Sequence, residues 1–320
     1  MCTGIRFTDT NGNMFFGRNL DWGCGYGEQV FVTPRNYQRP YVFDGPARGG
    51  YALIGTAIEA EGIPLYFDCG NEKGLAIAGL NFPGEGFAKY APAPVEGKTN
   101  IAAYEFPLWV ASEFATVDEA EVALRDVAIV DRPVNKQWQS SLLHWIIGDA
   151  KRSLVVEYRA DGMHLYDDPV DVLTNQPTFD WQLQNLRNYI SLTNETPQPV
   201  EWREATLAPY GTGSGMRGLP GDYYSPSRFV RIAYLNANYP QQESEADNVS
   251  RLFHSLASNA MVKGASLMAD GQTEYTVYTS GFSAATGTYY LNTYEDFTIR
   301  SHKLSDVDLE GTEPVELKSR

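Results

Sequence analysis

Apolar and polar positions alternate from the start of the chain. Ile5 and Phe7 flank Arg6, and Met14-Phe15-Phe16 resumes the apolar positions after Asp9-Thr10-Asn11-Gly12-Asn13. Period-two alternation interrupted by turn residues predicts a β-hairpin. With Asn11-Gly12 as a two-residue type I′ turn, Cys2 falls opposite Asp21, at a Cβ separation of about 5 Å. The same register puts Arg18 opposite Ile5, on the face away from Cys2, unless a bulge near Gly17 shifts the parity.

Further strands are predicted in groups. Ala52 to Ile58, Leu65 to Cys69 and Gly74 to Leu80 form one group. Leu142 to Gly148, Leu154 to Tyr158, Met163 to Tyr166 and Val172 to Asn175 form a second, and Tyr275 to Ser280, Thr288 to Thr293 and Ile299 to Lys303 close the chain. Between them, Ile101 to Phe114 reads as an amphipathic helix bent at Pro107. Thr116-Val-Asp-Glu119 opens a second helix through a capping box. Ser225-Pro226 reads as an N-cap and first helical residue, and Ala246 to Leu256 as the partner helix. Grouped hairpins separated by helix pairs predict an α+β protein of antiparallel sheets with helices on their outer faces, not a parallel βαβ sheet. No repeat or linker divides the chain, so residues 1–320 are expected to form one domain. Thr193 to Tyr224, rich in Pro and Gly, is an excursion of the kind that serves function or assembly.

Composition narrows the function classes. In 320 residues, 43% hydrophobic content supports a large buried core. A net charge of -15, with no face of clustered Lys and Arg, argues against nucleic acid as a partner. No apolar run reaches the roughly 18 residues of a membrane span, and no export signal opens the chain. A cytoplasmic protein without a membrane partner is expected. Cys2, Cys24 and Cys69 are too few and too scattered for a disulfide framework or a zinc site. His144, His164, His254 and His302 show no paired-ligand spacing either. No metal site is therefore expected, and the Cys2 chemistry considered next calls for no organic cofactor.

Cys2 differs from the other two thiols in its position. Cells normally trim Met before a small second residue, which would leave Cys2 with a free α-amine. Nucleophile and base would then sit on one residue, the logic of the N-terminal threonine enzymes. An α-amine with a pKa near 7.7 is neutral in about one molecule in six at pH 7, whereas an ordinary lysine is neutral in about one in 2,500. The amine is already poised for general-base work.

The segments MCTGIRF (1–7), FFGRNLDW (15–22), GLNFPG (79–84), LTNQPTFD (173–180) and SPSRF (225–229) resemble, in order and over nearly the whole chain, the choloylglycine hydrolase family and its bile salt hydrolase branch. The resemblance implies an N-terminal nucleophile hydrolase of αββα layering, two antiparallel sheets between helix layers. It implies hydrolysis of the amide joining a steroid acid to glycine or taurine through a thioester on Cys2. Asp21 matches the acid that orients the Cys2 amine, and Arg18 the cation beside the thiol. Asn175 matches the side-chain donor of the oxyanion hole, with Asn81 next to it, and Arg228 the remaining active-site arginine. Asn at position 81, where the penicillin V acylase branch typically carries Tyr, favours a conjugated bile acid as substrate.

A steroid needs an apolar pocket, and Trp22, Tyr26, Phe67, Phe82, Ile129 and Trp138 are the candidate walls. Family members are commonly homotetramers, and the 193–224 excursion is the candidate contact. Two alternatives stay open: an N-acyl amide hydrolase of penicillin V acylase type, and an inactive binding or structural protein on the same fold.

Overall fold

The computed structural model describes residues 1–43, 45–48 and 50–318. Two large antiparallel sheets face one another. The first contains Cys2–Thr8, Met14–Trp22, Val172–Leu173, Thr273–Ser283, Thr288–Thr293 and Arg300–Lys303, with Cys2–Thr8 between Val172–Leu173 and Met14–Trp22. The second is built on Ile63–Asn71, Ala76–Asn81, Leu143–Gly148 and Ser153–Arg159, extended by Leu53–Ala60 and Gln29–Thr33 on one side and Gly162–Asp168 on the other. Strands such as Cys2–Thr8 and Met14–Trp22 are buried at nearly every position because both faces are covered. Phe16, Ile54, Leu80, Ile146 and Val155 meet between the sheets. Helices Ser225–Asn238 and Glu245–Ala257 close the outer face of the first sheet through Phe229, Ile232, Leu252 and Leu256. Phe106–Glu113 and Val117–Leu124 close the outer face of the second through Phe106, Val110 and Val117. The result is the four-layer αββα arrangement. Among the described residues no helix is long and apolar enough to cross a membrane.

The first hairpin forms, but its register differs from the type I′ expectation by one residue. Thr8 pairs with Met14 and Cys2 with Leu20, so five residues, 9–13, make the turn. Asp9 organises it: its Oδ1 accepts the N–H groups of Asn11 and Asn13, both at 2.8 Å, and its backbone N–H donates to the Asn13 carbonyl at 2.9 Å. A side-chain carboxylate that gathers local N–H groups outcompetes the two-residue turn. The odd loop length reverses the expected faces. Arg18, opposite Gly4, shares the face of Cys2, and Asp21 pairs with Met1 on the other face.

No bulge is needed at Gly17, which pairs regularly with Ile5 and Gly281. Its lack of a side chain serves packing instead. A Cβ there would lie 2.4 Å from the Ser280 carbonyl oxygen and 3.0 Å from Leu252 Cδ2. The backbone cannot yield cheaply, so Gly17→Ala should destabilise the protein by about 1–3 kcal/mol, read as a lower urea midpoint at unchanged slope.

Two helix starts also differ from expectation. Thr99–Ala102 is a strand, and the helix begins at Phe106 with Pro107 in its first turn. A missing N–H costs nothing there, so Pro107 starts the helix and does not bend it. Ser225 is the first residue of its helix, and the capping position is Tyr224. The Ser225 hydroxyl is used elsewhere, as described below. Thr116 does cap its helix, accepting from Glu119 N–H at 3.2 Å.

Candidate active site

Cys2 is buried at the end of its strand, on the face between the sheets. Arg18, two positions along the paired strand, is fully buried and donates from Nη2 to Cys2 Sγ at 2.8 Å. The remaining donors of its guanidinium go to main-chain carbonyls: Nη1 to Gly79 at 2.9 Å and Phe67 at 3.2 Å, and Nε to Asn19 at 3.3 Å. Three of the five N–H groups of the planar fork are held on carbonyls, and Nη2 is turned to the sulfur. Burial disfavours the charge, yet Cys2, Tyr278, Asp68 and Asp21 together raise the Arg18 pKa above its ordinary value. Arg18 thus stays a cation, with its charge held against the Cys2 sulfur.

Asp21, Arg228 and Asn175 approach the same strand end from other directions. A bulge in Thr273–Ser283 lets Thr276 pair with Asp21 while Tyr278 pairs with Leu20. It brings Thr276 Oγ1 within 2.6 Å of Asp21 Oδ1, to which it donates. Asp21 Oδ2 is buried with no hydrogen-bond partner among the described residues. Arg228, on helix Ser225–Asn238, donates from Nη1 to the Cys2 carbonyl and to Thr3 Oγ1, and from Nη2 to Asn175 Oδ1 at 2.7 Å. Asn175 Oδ1 also accepts the Cys2 backbone N–H at 2.8 Å, and Asn175 Nδ2 donates to the Asn81 carbonyl at 2.6 Å. One amide therefore links Cys2, Arg228 and Asn81, and its second Nδ2 hydrogen remains to be offered to a ligand. Ser225 Oγ, 2.9 Å from Asn175 N, anchors the backbone of that residue.

Met1 is attached in this structure and continues the ladder. Its amine donates to the Asp21 carbonyl at 2.8 Å, its carbonyl accepts from Asp21 N–H at 2.9 Å, and the ammonium pairs with Glu274. Burial lowers the pKa of this amine, against the opposing pull of Cys2 and Asp21.

A largely apolar cavity opens beside the thiol. Cys2, Arg18, Asp21 and Asn81 form its floor, and Trp22, Tyr26, Phe67 and Trp138 are among its walls. Tyr26 stacks on Phe67 with ring centroids 5.9 Å apart and meets the edge of Trp138 at 5.8 Å. The Trp138 loop is tied back through Asn135, which accepts the Trp138 N–H at 3.0 Å and donates to Glu61 Oε1 at 2.9 Å.

Two expected wall residues do not reach this cavity. Phe82 is fully buried behind Asn81 against Phe87 and His144, and Ile129 is fully buried in strand Val127–Val130. Phe82 follows strand Ala76–Asn81 and Ile129 lies within its strand, and both belong to the core that Phe106 and Val110 close, so their apolar character reports core packing. Tyr104, Leu65 and Val134 line the cavity without having been identified from the sequence. They stand near recognisable segments, but a wall of a cavity and a wall of a core look alike in one sequence.

The chain is similar to known proteins over nearly its whole length. A family model described as linear amide C–N hydrolases, choloylglycine hydrolase family, matches residues 2–317. A bile salt hydrolase/transferase of Bifidobacterium longum subsp. longum is 56% identical over 317 residues, covering 98% of this chain and 99% of the relative. A conjugated bile acid hydrolase of Lactobacillus gasseri is 48% identical over 307 residues, covering 96% of each. Among solved structures, the mutant C2A conjugated bile acid hydrolase from Clostridium perfringens superposes with a TM-score of 0.93 at 34% identity, over 100% of this chain and 97% of that one.

Proposed function

The chain belongs to the choloylglycine hydrolase family of linear amide C–N hydrolases, and from that premise we propose that it cleaves the amide of glycine- or taurine-conjugated bile acids through Cys2. The observation that carries this reading is the Arg18 N–H 2.8 Å from a Cys2 sulfur that opens onto an aromatic-walled cavity. Trimming of Met1 frees the Cys2 amine and releases Asp21 and Glu274 from the first residue. The unpartnered Oδ2 of Asp21 then accepts from that amine and holds it beside the thiol.

The chemistry follows from these positions. The Cys2 sulfur, stabilised as thiolate by Arg18, attacks the amide carbon, and the amine holds the thiol proton. Charge moves to the carbonyl oxygen, where the free Nδ2 hydrogen of Asn175 donates to it. Asn81 fixes that amide through its carbonyl, and Arg228 holds Asn175 Oδ1 and the Cys2 carbonyl. The amine passes its proton to the leaving nitrogen, the C–N bond breaks, and a thioester remains. Water, deprotonated by the same amine, attacks the thioester, and the carbon–sulfur bond breaks to return the thiol. The steroid rests against Trp22, Tyr26, Phe67 and Trp138.

Side-by-side hydrolysis of glycocholate and penicillin V tests the substrate. Preferential cleavage of glycocholate is expected, and preferential cleavage of penicillin V would move the assignment to the acylase branch.

A pH profile tests Asp21. Burial pushes its carboxyl up from the ordinary 3.8, against the pull of the terminal amine, Arg228, Thr276 and Arg18. A reaction that needs this carboxylate is complete above the raised value and fails as pH falls through it. The acid limb of kcat/KM should therefore lie above 3.8 and should move in Asp21→Asn; an unmoved limb would contradict the role.

We further propose a homotetramer. Ile190, Trp202 and Tyr224, in or beside the 193–224 excursion, are all exposed, Trp202 by 70%. These side chains are the candidate contacts of the assembly. A monomeric mass by light scattering would count against it.

A further inference from the structure

The proposed reaction makes no use of His144, and the sequence places it in no ligand pattern. The fold nevertheless sets it against Thr174, the residue before Asn175. His144 lies on strand Leu143–Gly148 with no exposed surface, next to Leu143, which pairs with Asn81. Its Nε2 is 2.8 Å from the Thr174 carbonyl oxygen. A carbonyl only accepts, so Nε2 carries a hydrogen and donates it. The ring is stacked on Phe82 with centroids 4.1 Å apart and planes 7° apart.

On the far side of the ring stands Glu157, also without exposed surface, its Oε1 3.6 Å from His144 Nδ1. That oxygen accepts the Phe179 backbone N–H at 2.8 Å. His144 Nδ1 and Glu157 Oε2 have no hydrogen-bond partner among the described residues, and the Arg159 guanidinium stands 3.9 Å from Glu157 Oε2 as an ionic neighbour without hydrogen-bonding it. An imidazole and a carboxylate buried with unmet hydrogen-bonding capacity cost stability compared with apolar residues of the same size. Their one good bond each goes to the same short segment. His144 holds its start at Thr174, and Glu157 holds its end at Phe179. Between them sits Asn175.

We infer that His144 and Glu157 are positioning residues that clamp the Thr174 to Phe179 segment at both ends and so hold the Asn175 amide in place against Cys2 and Asn81. This rests on the reading of Asn175 as the oxyanion donor. Both clamping residues come from the second sheet, whereas Cys2 belongs to the first, so the clamp also sets the two sheets' contributions to the site relative to each other. A displaced donor can cost a large rate factor with little change in binding.

The test compares His144→Phe, His144→Gln, Glu157→Leu and Asn175→Ala in the otherwise intact protein, with two readouts. One is kcat and KM for glycocholate. The other is the rate of Cys2 alkylation by iodoacetamide, followed by peptide mass so that the exposed Cys24 does not interfere. Alkylation needs the thiolate but no oxyanion donor. His144→Phe keeps the ring stack but loses the N–H; kcat should fall about tenfold or more while KM and the alkylation rate stay near the parent values. His144→Gln restores an N–H and should recover most of the loss. Glu157→Leu should show the same split, and it carries the test where His144→Phe does not fold. Parent-level kcat in His144→Phe or Glu157→Leu overturns the inference, and so does a parallel fall in alkylation. If Asn175→Ala loses turnover while the clamp variants keep it, only the clamp is refuted. If Asn175→Ala itself retains parent turnover, both the oxyanion reading and the clamp fall.

Discussion

Cys2→Ala should lower glycocholate turnover by at least about 10⁴-fold. The side chain it removes is small and buried, and its sulfur accepts one hydrogen bond, from Arg18. Leaving that donor unpaired costs about 1–3 kcal/mol of stability, a loss that a protein stable by about 5–15 kcal/mol tolerates. The rate loss corresponds to about 5 kcal/mol of barrier. Catalysis should therefore collapse in a protein that still folds, with unchanged circular dichroism and a modestly lower melting temperature. Turnover within tenfold of the parent would remove the thiol from the mechanism.

Asn175→Ala should cost about 10²–10³-fold in kcat, the usual effect of deleting one oxyanion donor. Two consequences compete here. The substitution removes Nδ2, and it also takes the Oδ1 acceptor from Arg228 Nη2 and the Cys2 N–H. Arg228 keeps its bonds to the Cys2 carbonyl, Thr3 Oγ1 and the Tyr223 carbonyl, so it remains placed. Loss of transition-state contact should outweigh loss of order. Kinetics measured well below the melting temperature should show a depressed kcat with KM little changed. A raised KM at parent kcat would instead assign Asn175 to substrate binding.

Much of the proposed site could be read from local features of the chain. A Cys behind an initiator Met would carry its own base once that Met is trimmed, an expectation that requires no knowledge of the fold. The hairpin itself was also readable, but its register was not. Asn11-Gly12 is a strong turn signal, yet the Asp9 carboxylate gathers the N–H groups of Asn11 and Asn13 and adds residues to the loop. That one change exchanged the expected faces of Arg18 and Asp21. It explains how Arg18 reaches the thiol without a bulge, and why the bulge that does matter lies opposite Asp21, in Thr273–Ser283.

Long-range pairings were less accessible. Val127–Val130 pairs in parallel with Thr99–Ala102, so Ile129 belongs to a core and not to the cavity. A short apolar run carries no mark of which environment buries it. His144 illustrates the same limit. Its partners, Thr174 and Glu157, are distant in sequence, and only the closed sheets bring them together.

The central claim is that a trimmed Cys2 forms the bond to the acyl group. It is tested most directly by intact and peptide mass spectrometry of enzyme quenched in acid during glycocholate turnover. The account predicts an active chain that lacks Met1 and carries a cholyl group, as a thioester, on Cys2. Full activity in a chain that retains Met1, or an acyl group found on any other residue, would contradict it.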